Sequence, residues 1–292
     1  MLAECRCRLL RAFGHASTRC APSRARRLLG LGGLSIAALA AGPRLSPDPQ
    51  LISSPENETV RRLRHLAQRR EPGFVLLEGP RVLAEAEAAG LEFDLVAVRE
   101  GEEFTARSGR HVILSRGVFR AVSQTVTPRG VIAIAKVDEP DARSVLAAAR
   151  RRGWPLVVLD GVQDPGNVGA ICRTAAAAGA PALAVLEGSA DPYGAKAVRA
   201  SAGNVFRLAV ARATWKDLAG LDGYGAAASG GEPLAEAPVE KAGMIVLGSE
   251  AHGLSRSDLK LVTVHLSEGV ESLNVAAAAA LILFEVKRRL AA

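Results

Sequence analysis

The sequence predicts an α/β protein whose second half is a parallel sheet with helices on both faces. Apolar runs rich in β-branched residues, such as residues 156–159, are typical of buried parallel strands. They alternate with alanine-rich stretches of helical length, such as residues 168–178. Turn-forming Gly, Pro, Asn and Asp residues separate these segments. Strands that alternate with helices in this way pair in parallel and are covered by the helices.

Length and charge limit the classes of protein to consider. A chain of 292 residues is long enough for two domains, and a hydrophobic content of 49% is ample for their cores. No continuous apolar run reaches the roughly 18 residues of a membrane span. Residues 1–50 hold eight Arg against Glu4 and Asp48, so they carry +6 of the net charge of +7. RNA binding by the rest of the chain therefore cannot be argued from its bulk charge.

The basic segment 1–50 also contains a short apolar run over residues 28–41. It could be an organelle-targeting segment, an export signal or an extension from an upstream start codon. We favour a disordered or mis-started extension, with targeting as the second choice. A cytoplasmic protein is then expected, or an organellar one if the segment is a genuine targeting signal. Cys5, Cys7 and Cys20 have no matching group at zinc-finger spacing, so no metal is expected.

A first, smaller α/β domain is predicted over residues 51–138. Its opening helix, over residues 59–70, repeats Val60, Leu63 and Leu66 at the three-residue spacing of a core-facing stripe. Short apolar runs then predict strands at 74–77, 93–98, 112–114 and 131–137, and helices at 82–89 and 118–122. Residues 139–154 are predicted to be a linker that contains a helix with an acidic start and a basic end.

Arginines are concentrated on the opening helix, at positions Arg61, Arg62, Arg64, Arg69 and Arg70. Such a face is either solvated or a contact for phosphate groups, and both interpretations stay open. Further candidates for RNA contact are Arg129, in the polar turn before the last strand, and Arg199, on a short helix of the second domain.

The second domain is predicted over residues 155–292. Its first unit is a strand at 156–159, a tight loop at 164–167 and a helix at 168–178, which ends at Gly179. Further strands are predicted at 182–186, 205–210, 224–228, 244–247 and 262–266, and helices at 196–201, from Trp215, and at 275–289. Ligands of open α/β sheets bind at the carboxyl ends of the strands. The loop at 164–167 is therefore the first candidate for a binding site.

Two residues of the helix after this loop are candidates for a role in binding or catalysis. Arg173 is either a solvated surface arginine or a cation aimed at a substrate, and spacing alone leaves both open. Cys172 is interpreted as a small buried residue rather than a nucleophile. Near residue 229, a Ser-Gly-Gly sequence predicts a loop that lets the backbone approach a ligand closely.

Three segments resemble, in order, the signature motifs of the SpoU (TrmH-type) RNA ribose methyltransferases of the SPOUT superfamily. They are residues 167–175, 245–255 and 272–275, and residues 198–206 are also similar to the family. The resemblance implies a parallel-sheet SPOUT domain with a carboxyl-terminal trefoil knot. It also implies that the first domain is a ribosomal-protein-like substrate-binding domain that recognises RNA. Ala251 departs from the pattern, because the family commonly has Gly there.

The resemblance further implies methylation of a ribose 2′-hydroxyl of structured RNA, with rRNA favoured over tRNA, by a homodimer that uses S-adenosylmethionine. It implies a catalytic role for Arg173, Asn167, Glu250, Ser272 and Asn274. It assigns cofactor binding to Ser229, Gly230, Gly248, Val264, Leu266 and Leu273. From spacing alone, Glu250 could cap the next helix and Ser272 could be a helix N-cap. An RNA-binding or ribosome-assembly protein without turnover, and an unrelated nucleotide-binding enzyme, are the alternatives.

Overall fold

The computed structural model describes residues 50–292, and these residues contain two β-sheets. The predictions made for the basic amino-terminal segment, including those for Cys5, Cys7 and Cys20, fall on residues 1–49 and lie outside the described residues. Within residues 50–292, none of the helices combines the length and the apolar character that crossing a bilayer requires.

The first sheet has five strands in the order β1-β4-β3-β5-β2. Its elements are β1 (Leu51–Ile52), α1 (Glu58–Gln68), β2 (Phe74–Glu78), α2 (Pro80–Ala88), β3 (Phe93–Arg99), β4 (Arg110–Leu114), α3 (Arg116–Val122) and β5 (Val131–Lys136). Strands β1, β4 and β3 are parallel, whereas β5 runs antiparallel to both β3 and β2. Alternate residues of β5 point to opposite faces, so that Ile132 and Ile134 pack with α1 and α3 while Ala133 packs with α2.

The second sheet has seven strands in the order β10-β12-β9-β11-β6-β7-β8, and every pairing is parallel. The strands are β6 (Leu156–Asp160), β7 (Ala182–Val185), β8 (Ala209–Arg212), β9 (Gly223–Ala227), β10 (Glu232–Pro233), β11 (Met244–Gly248) and β12 (Lys260–Thr263). The helices are α4 (Ala142–Arg151), α5 (Pro165–Ala178), α6 (Ala195–Ala200) and α7 (Val275–Leu290). The predicted parallel α/β sheet is confirmed. The trefoil knot implied by the resemblance stays a prediction.

Helices cover both faces of the second sheet. On β6, Val157 and Leu159 pack in the apolar cluster that contains α5 and α7, whereas Leu156 and Val158 pack in the cluster that contains α4. Val145 of α4 is fully buried there. The segment predicted as a linker therefore contains a core helix of the second sheet. Its first residue follows Asp141, whose carboxylate caps the helix by accepting from Ser144 N at 2.8 Å.

Three local predictions were wrong. The segment predicted as a tight loop, 164–167, is instead the start of α5, because Asp164 is its N-cap and Pro165 its first residue, a position that suits proline. The strand predicted at 205–210 is a 3₁₀ turn, Asn204–Arg207, followed by β8. The segment at Trp215 forms turns rather than a helix. There Asp217 accepts hydrogen bonds from the backbone N and the Oγ1 of Thr214, which satisfies both groups locally.

One apolar cluster runs through both sheets. Leu83 of α2 and Val75 of β2 belong to the same cluster as Val168 of α5 and Val198 of α6. Gly203, at a φ of +83°, lies against α2, where an added Cβ would be 2.8 Å from Cβ of Glu85. The first sheet and α2 are thus packed on the helices of the second sheet rather than tethered to them.

An ion cluster, which we call the interdomain staple, reinforces this contact and consists of Arg70, Glu139 and Asp191. Arg70 donates to both oxygens of Glu139, at 2.7 and 3.0 Å, and from Nε to Asp191 at 2.6 Å. Its guanidinium lies 5.5 Å from the ring centroid of Tyr193. The hydrogen bond from Arg70 holds the pKa of Glu139 below its ordinary value. The staple therefore joins the end of α1 to the loop after β7 through opposite charges.

Candidate active site

A cavity of about 620 Å³ opens at the carboxyl ends of β9, β11 and β12. Four of the six predicted cofactor residues line it: Gly248, Val264, Leu266 and Leu273. Ser229 and Gly230 are not among its lining residues, and the preceding residues 226–228 take that position. The catalytic candidates Glu250, Ser272 and Asn274 also line the cavity.

Glycines let the chain fold back on itself along one wall. The loop 249–257 leaves β11 and returns at once, with Ser249 and Gly253 paired by backbone hydrogen bonds. An added Cβ at Gly248 would be 2.6 Å from the carbonyl carbon of Gly253. Leu254 lies so close to Gly225 of β9 that a side chain there would overlap it. This wall therefore depends on small residues in the strands and on the position of the loop.

The loop 249–257 is held by a set of hydrogen bonds that we call the loop latch. Asp160, the buried last residue of β6, accepts from the backbone N of Ser255 at 2.6 Å and from its Oγ at 2.9 Å. Trp215 donates from Nε1 to the same Oγ at 2.9 Å. Sequence reasoning missed Asp160 and Ser255. The signal was available, because an Asp that ends an otherwise apolar strand needs buried donors.

The three motif segments meet in what we call the asparagine–glutamate cluster, formed by Asn167, Glu250 and Asn274. Asn167 donates from Nδ2 to Oε1 of Glu250. Asn274 donates from Nδ2 to Oδ1 of Asn167 at 3.1 Å and to Oε1 of Glu250 at 3.2 Å. Among the described residues, none donates a hydrogen bond to Oε2 of Glu250. The cluster thus presents one occupied and one open carboxylate oxygen.

The same geometry decides two alternatives left open by spacing. The N-cap of α7 is Asn274, whose Oδ1 accepts from Ala276 N at 2.9 Å, so Ser272 is not the cap. Glu250 bonds the two asparagines and caps no described helix. Ser272 is exposed at the edge of the cavity.

Asn167 is positioned by the first turn of α5. Asp164 accepts from the backbone N of Asn167 at 3.1 Å, and Lys196 of α6 donates to Asp164 at 2.7 Å. The hydrogen bond from Lys196 lowers the pKa of Asp164. Gly169 lets α6 pack closely, because an added Cβ would be 2.6 Å from Cβ of Ala200. The first turn of α5 is therefore fixed by α6.

Arg173 is not brought to this cavity within its own chain. It lies six residues beyond Asn167 on α5, about 9 Å along the helix axis. It is exposed, and its side chain makes no hydrogen bond or ion pair with the described residues. The neighbouring Cys172 is fully buried, and burial raises the pKa of its thiol to about 12. The Cys172 side chain therefore packs in the core, as the sequence predicted.

The candidate RNA-binding arginines fall into two groups. Arg62 pairs with Asp94, Arg64 donates to the carbonyl of Pro55 at 3.4 Å, and Arg199 donates to Oε1 of Gln124 at 3.1 Å. The side chains of Arg61 and Arg129 have no such partner in the part of the chain that the structure describes. Within residues 50–292, no group of three or more His, Cys, Asp or Glu side chains could hold a metal ion.

Comparisons with known proteins agree with this architecture. The model of the SpoU rRNA Methylase family matches residues 155–284, and that of the MRM3-like substrate binding domain matches residues 57–133. The chain is 31% identical over 253 residues to the 23S rRNA (guanosine(2553)-2'-O)-methyltransferase of Bacillus subtilis. The aligned region covers 81% of this chain and 98% of the relative.

Two solved structures are similar to the whole two-sheet arrangement. One is an AdoMet-bound rRNA methyltransferase from Sinorhizobium meliloti, with 26% identity, a TM-score of 0.70, and coverage of 82% of this chain and 98% of that one. The other is an RNA 2'-O ribose methyltransferase, with 26% identity, a TM-score of 0.66, and coverage of 83% and 100%.

Proposed function

Because the chain belongs to the SpoU rRNA methylase family of RNA methyltransferases, we propose that it methylates a ribose 2′-hydroxyl of ribosomal RNA with S-adenosylmethionine as methyl donor. The observation that carries the proposal is the asparagine–glutamate cluster at the edge of the large cavity. The Bacillus relative, named for 2′-O-methylation of 23S rRNA, supports it. We place the reaction in the cytoplasm, or in an organelle if residues 1–50 are a targeting segment.

The cavity fits the cofactor. Its volume of about 620 Å³ is within the range of small-molecule sites, and apolar side chains dominate its lining. Gly248 contributes main chain to the lining, while Val264, Leu266 and Leu273 offer apolar contact to a flat heterocycle. When bound, S-adenosylmethionine supplies a methyl group already activated on a sulfonium. The protein's own task is to orient the ribose hydroxyl and to remove its proton.

In this proposal, two residues share this task. Glu250 is the proton acceptor, because its Oε2 is open while the two asparagines fix its Oε1. Arg173 is an orienting group, since a guanidinium stays protonated and is a poor base. It would hold the hydroxyl or a flanking phosphate and stabilise the developing alkoxide. Ser272, exposed at the same edge, would contact the substrate.

Arg173 would reach a cavity in a homodimer. α5 packs against α7 in the same chain, and α7 presents exposed Leu281 and Phe284, which are 48% and 46% accessible. Pairing of two copies through this face would bury both side chains. It would also bring Arg173 of one copy to the cavity of the other. Mixing Arg173→Ala with Glu250→Gln protein would then restore activity to the hybrid dimers.

The first domain would hold the RNA. The side chains of Arg61 and Arg129, two of the arginines named above for RNA contact, have no partner in the described part of the chain, so they are the first candidates for phosphate contact. Arg199 would contribute from the second domain, and its bond to Gln124 links the two surfaces. Arg62 and Arg64 are engaged by the protein and would contribute less.

The test uses the full chain and radiolabelled S-adenosylmethionine, with total rRNA and total tRNA from cells that lack the enzyme as separate substrates. Wild-type protein is expected to label rRNA. Arg173→Ala should lower methyl transfer by about 100-fold or more while the Kd for S-adenosylmethionine stays within about twofold. Arg150→Ala, an exposed arginine on α4 at the other face of the sheet, is the matched control.

Parallel loss of transfer and cofactor binding in Arg173→Ala would contradict the orienting role. Absence of label in both RNA pools, with cofactor binding intact, would contradict the enzymatic proposal. It would favour a ribosome-assembly protein that keeps the fold without turnover.

A further inference from the structure

A second, smaller cavity lies beside the first and has no role in the mechanism above. Its volume is about 180 Å³. It opens at the carboxyl ends of β6 and β7 and shares Ser249, Gly253 and Leu254 with the lining of the large cavity. It is therefore at the ligand-binding edge of the sheet, on the other side of the loop 249–257.

The walls of this cavity are fixed. On one side, the loop latch holds Ser255 to Asp160, and both residues line the cavity. On the other side, Ser189 accepts from Val162 N at 3.1 Å and donates to the carbonyl of Leu159 at 3.2 Å. These bonds connect the loop after β6 to the loop after β7. A site with such walls is formed before any ligand arrives.

Three further polar side chains of the lining are free to bind. Gln163, Glu187 and His252 line the cavity and are exposed. Their side chains make no hydrogen bond or ion pair with any described residue. Together they offer an amide, a carboxylate and an imidazole, which can donate and accept. Asp160 and Ser255 contrast with them, because each already satisfies the other.

We propose that this cavity holds the nucleobase of the nucleotide that is methylated, and that Glu187 selects guanine. The inference rests on the proposed function. The volume corresponds to about six water molecules, which suits one base and excludes a helix. Because the two cavities share a wall, a base in the small cavity would leave its ribose at the border of the large one. Enzymes that act on single nucleotides read an extruded base by the hydrogen bonds of its edge.

Guanine is the base that a carboxylate recognises best. Its Watson–Crick edge carries the N1–H and N2–H donors side by side, and the two oxygens of Glu187 can accept both. Adenine and cytosine offer a single amino group beside an unprotonated ring nitrogen, which a carboxylate repels. Uracil offers one N–H between two carbonyl oxygens. Gln163 and His252 can donate to the guanine O6 and N7 acceptors.

The experiment compares Glu187→Ala with Glu236→Ala, an exposed glutamate of the same domain that lines neither cavity. Full-length proteins methylate total rRNA from cells that lack the enzyme, and the labelled RNA is digested to nucleosides. We expect the wild-type label in 2′-O-methylguanosine. Glu187→Ala should lower kcat/KM for RNA by about 10-fold or more, with an unchanged Kd for S-adenosylmethionine, whereas Glu236→Ala should match wild type.

Four outcomes would overturn the inference, and they separate a failure of the base site from a failure of the proposed function. If wild-type protein labels another nucleoside, or if Glu187→Ala equals Glu236→Ala, the proposed function stands and the base site does not. If Glu187→Ala loses cofactor affinity, the small cavity supports the cofactor wall instead. If wild-type protein transfers no label, the proposed function itself fails and the inference with it.

Discussion

Two polar clusters in this protein draw side chains from distant segments, yet they are built differently. In the interdomain staple, Arg70 is 16% exposed and pairs with Glu139 and Asp191, and Arg212 supplies a second positive charge 3.9 Å from Asp191. In the asparagine–glutamate cluster, Glu250 is exposed and is approached by two neutral amides. No described cation pairs with Glu250. Opposite charges are paired in the interdomain staple, whereas the carboxylate of the asparagine–glutamate cluster has no cation beside it among the described residues.

The difference distinguishes side chains that stabilise the fold from a side chain that is available for a reaction. A partly buried arginine with charge-assisted hydrogen bonds to two carboxylates contributes to the packing of the domains. A carboxylate with one open oxygen contributes little to packing and is available to a ligand or a proton. The loop latch is intermediate, because Asp160 is buried without a cation but both of its oxygens are occupied. The carboxylates thus have different roles: Glu139 and Asp191 join two domains, Asp160 holds a loop, and Glu250 is the one proposed to act on the substrate.

Among the variants that test this comparison, the largest effect is expected from Glu250→Gln, which removes the charge and keeps the shape. The amide oxygen can still accept from Asn167 and Asn274, so the cavity should remain formed. Methyl transfer should fall about 100-fold because the proton acceptor is lost. The Tm and the Kd for S-adenosylmethionine, measured by calorimetry, should stay close to wild type.

Glu236→Gln removes an equal charge from the surface of the same domain and serves as the control. A fall in Tm with Glu250→Gln comparable to that of a staple variant would break the comparison, because it would make Glu250 a structural group.

An intermediate effect is expected from Ser255→Ala, which removes the hydroxyl of the loop latch. Asp160 keeps the backbone hydrogen bond but loses the Oγ bond, and Trp215 loses its acceptor. A hydrogen bond contributes about 1 kcal/mol, so KM for S-adenosylmethionine should rise about fivefold while kcat changes little. Steady-state kinetics with the cofactor varied give both constants.

Ser255→Thr retains the hydroxyl and should restore the wild-type KM. A loss in kcat at saturating cofactor would show instead that the latch acts on the reacting groups, and it would remove the distinction between the latch and the asparagine–glutamate cluster.

The smallest effect on activity is expected from Glu139→Gln, which leaves Arg70 paired with Asp191 alone. Loss of a partly exposed charged pair should lower stability by about 1–2 kcal/mol, equivalent to about 3–6 °C in Tm for a protein of this size. Turnover per folded molecule should not change. Thermal unfolding at neutral pH checks the first expectation, and Glu103→Gln, an exposed glutamate of the first domain, is the control.

The stability difference should also depend on pH. Arg70 holds the pKa of Glu139 below its ordinary 4.5, so the staple stabilises the folded state fully above that value. The contribution is lost as the pH falls through the lowered pKa of the folded state. The Tm values of wild type and Glu139→Gln should therefore converge in acid. A gap that persists there would show that the variant acts through packing rather than charge.

The elements could be predicted from the sequence wherever local signals agreed. The apolar run of β6 and the glycine that ends α5 at φ +96° are both decided within a few residues. The features that the sequence did not predict depend on tertiary contacts. α4 is a core helix because the sheet covers Val145, and the loop latch joins Asp160 to Ser255 across the fold.

In the candidate site, too, some features could be predicted from the sequence and others depend on the fold. The resemblance placed Asn167, Glu250 and Asn274 in one site, and the structure gives their mutual hydrogen bonds. Spacing could not show that Arg173 is remote from its own cavity, because that follows from the packing of α5. It also could not show the small cavity, since Gln163, Glu187 and His252 come from three separate loops.

The apolar cluster shared by the two sheets sets a limit on which RNA molecules can react. Since the first domain is packed on the second and not tethered by a flexible linker, that packing sets the distance from its arginines to the large cavity. The protein would then accept substrates according to the separation between their docking surface and their target nucleotide. An RNA could be modified only if its own folding holds a docking surface and a target nucleotide at that separation, whatever the sequence between them.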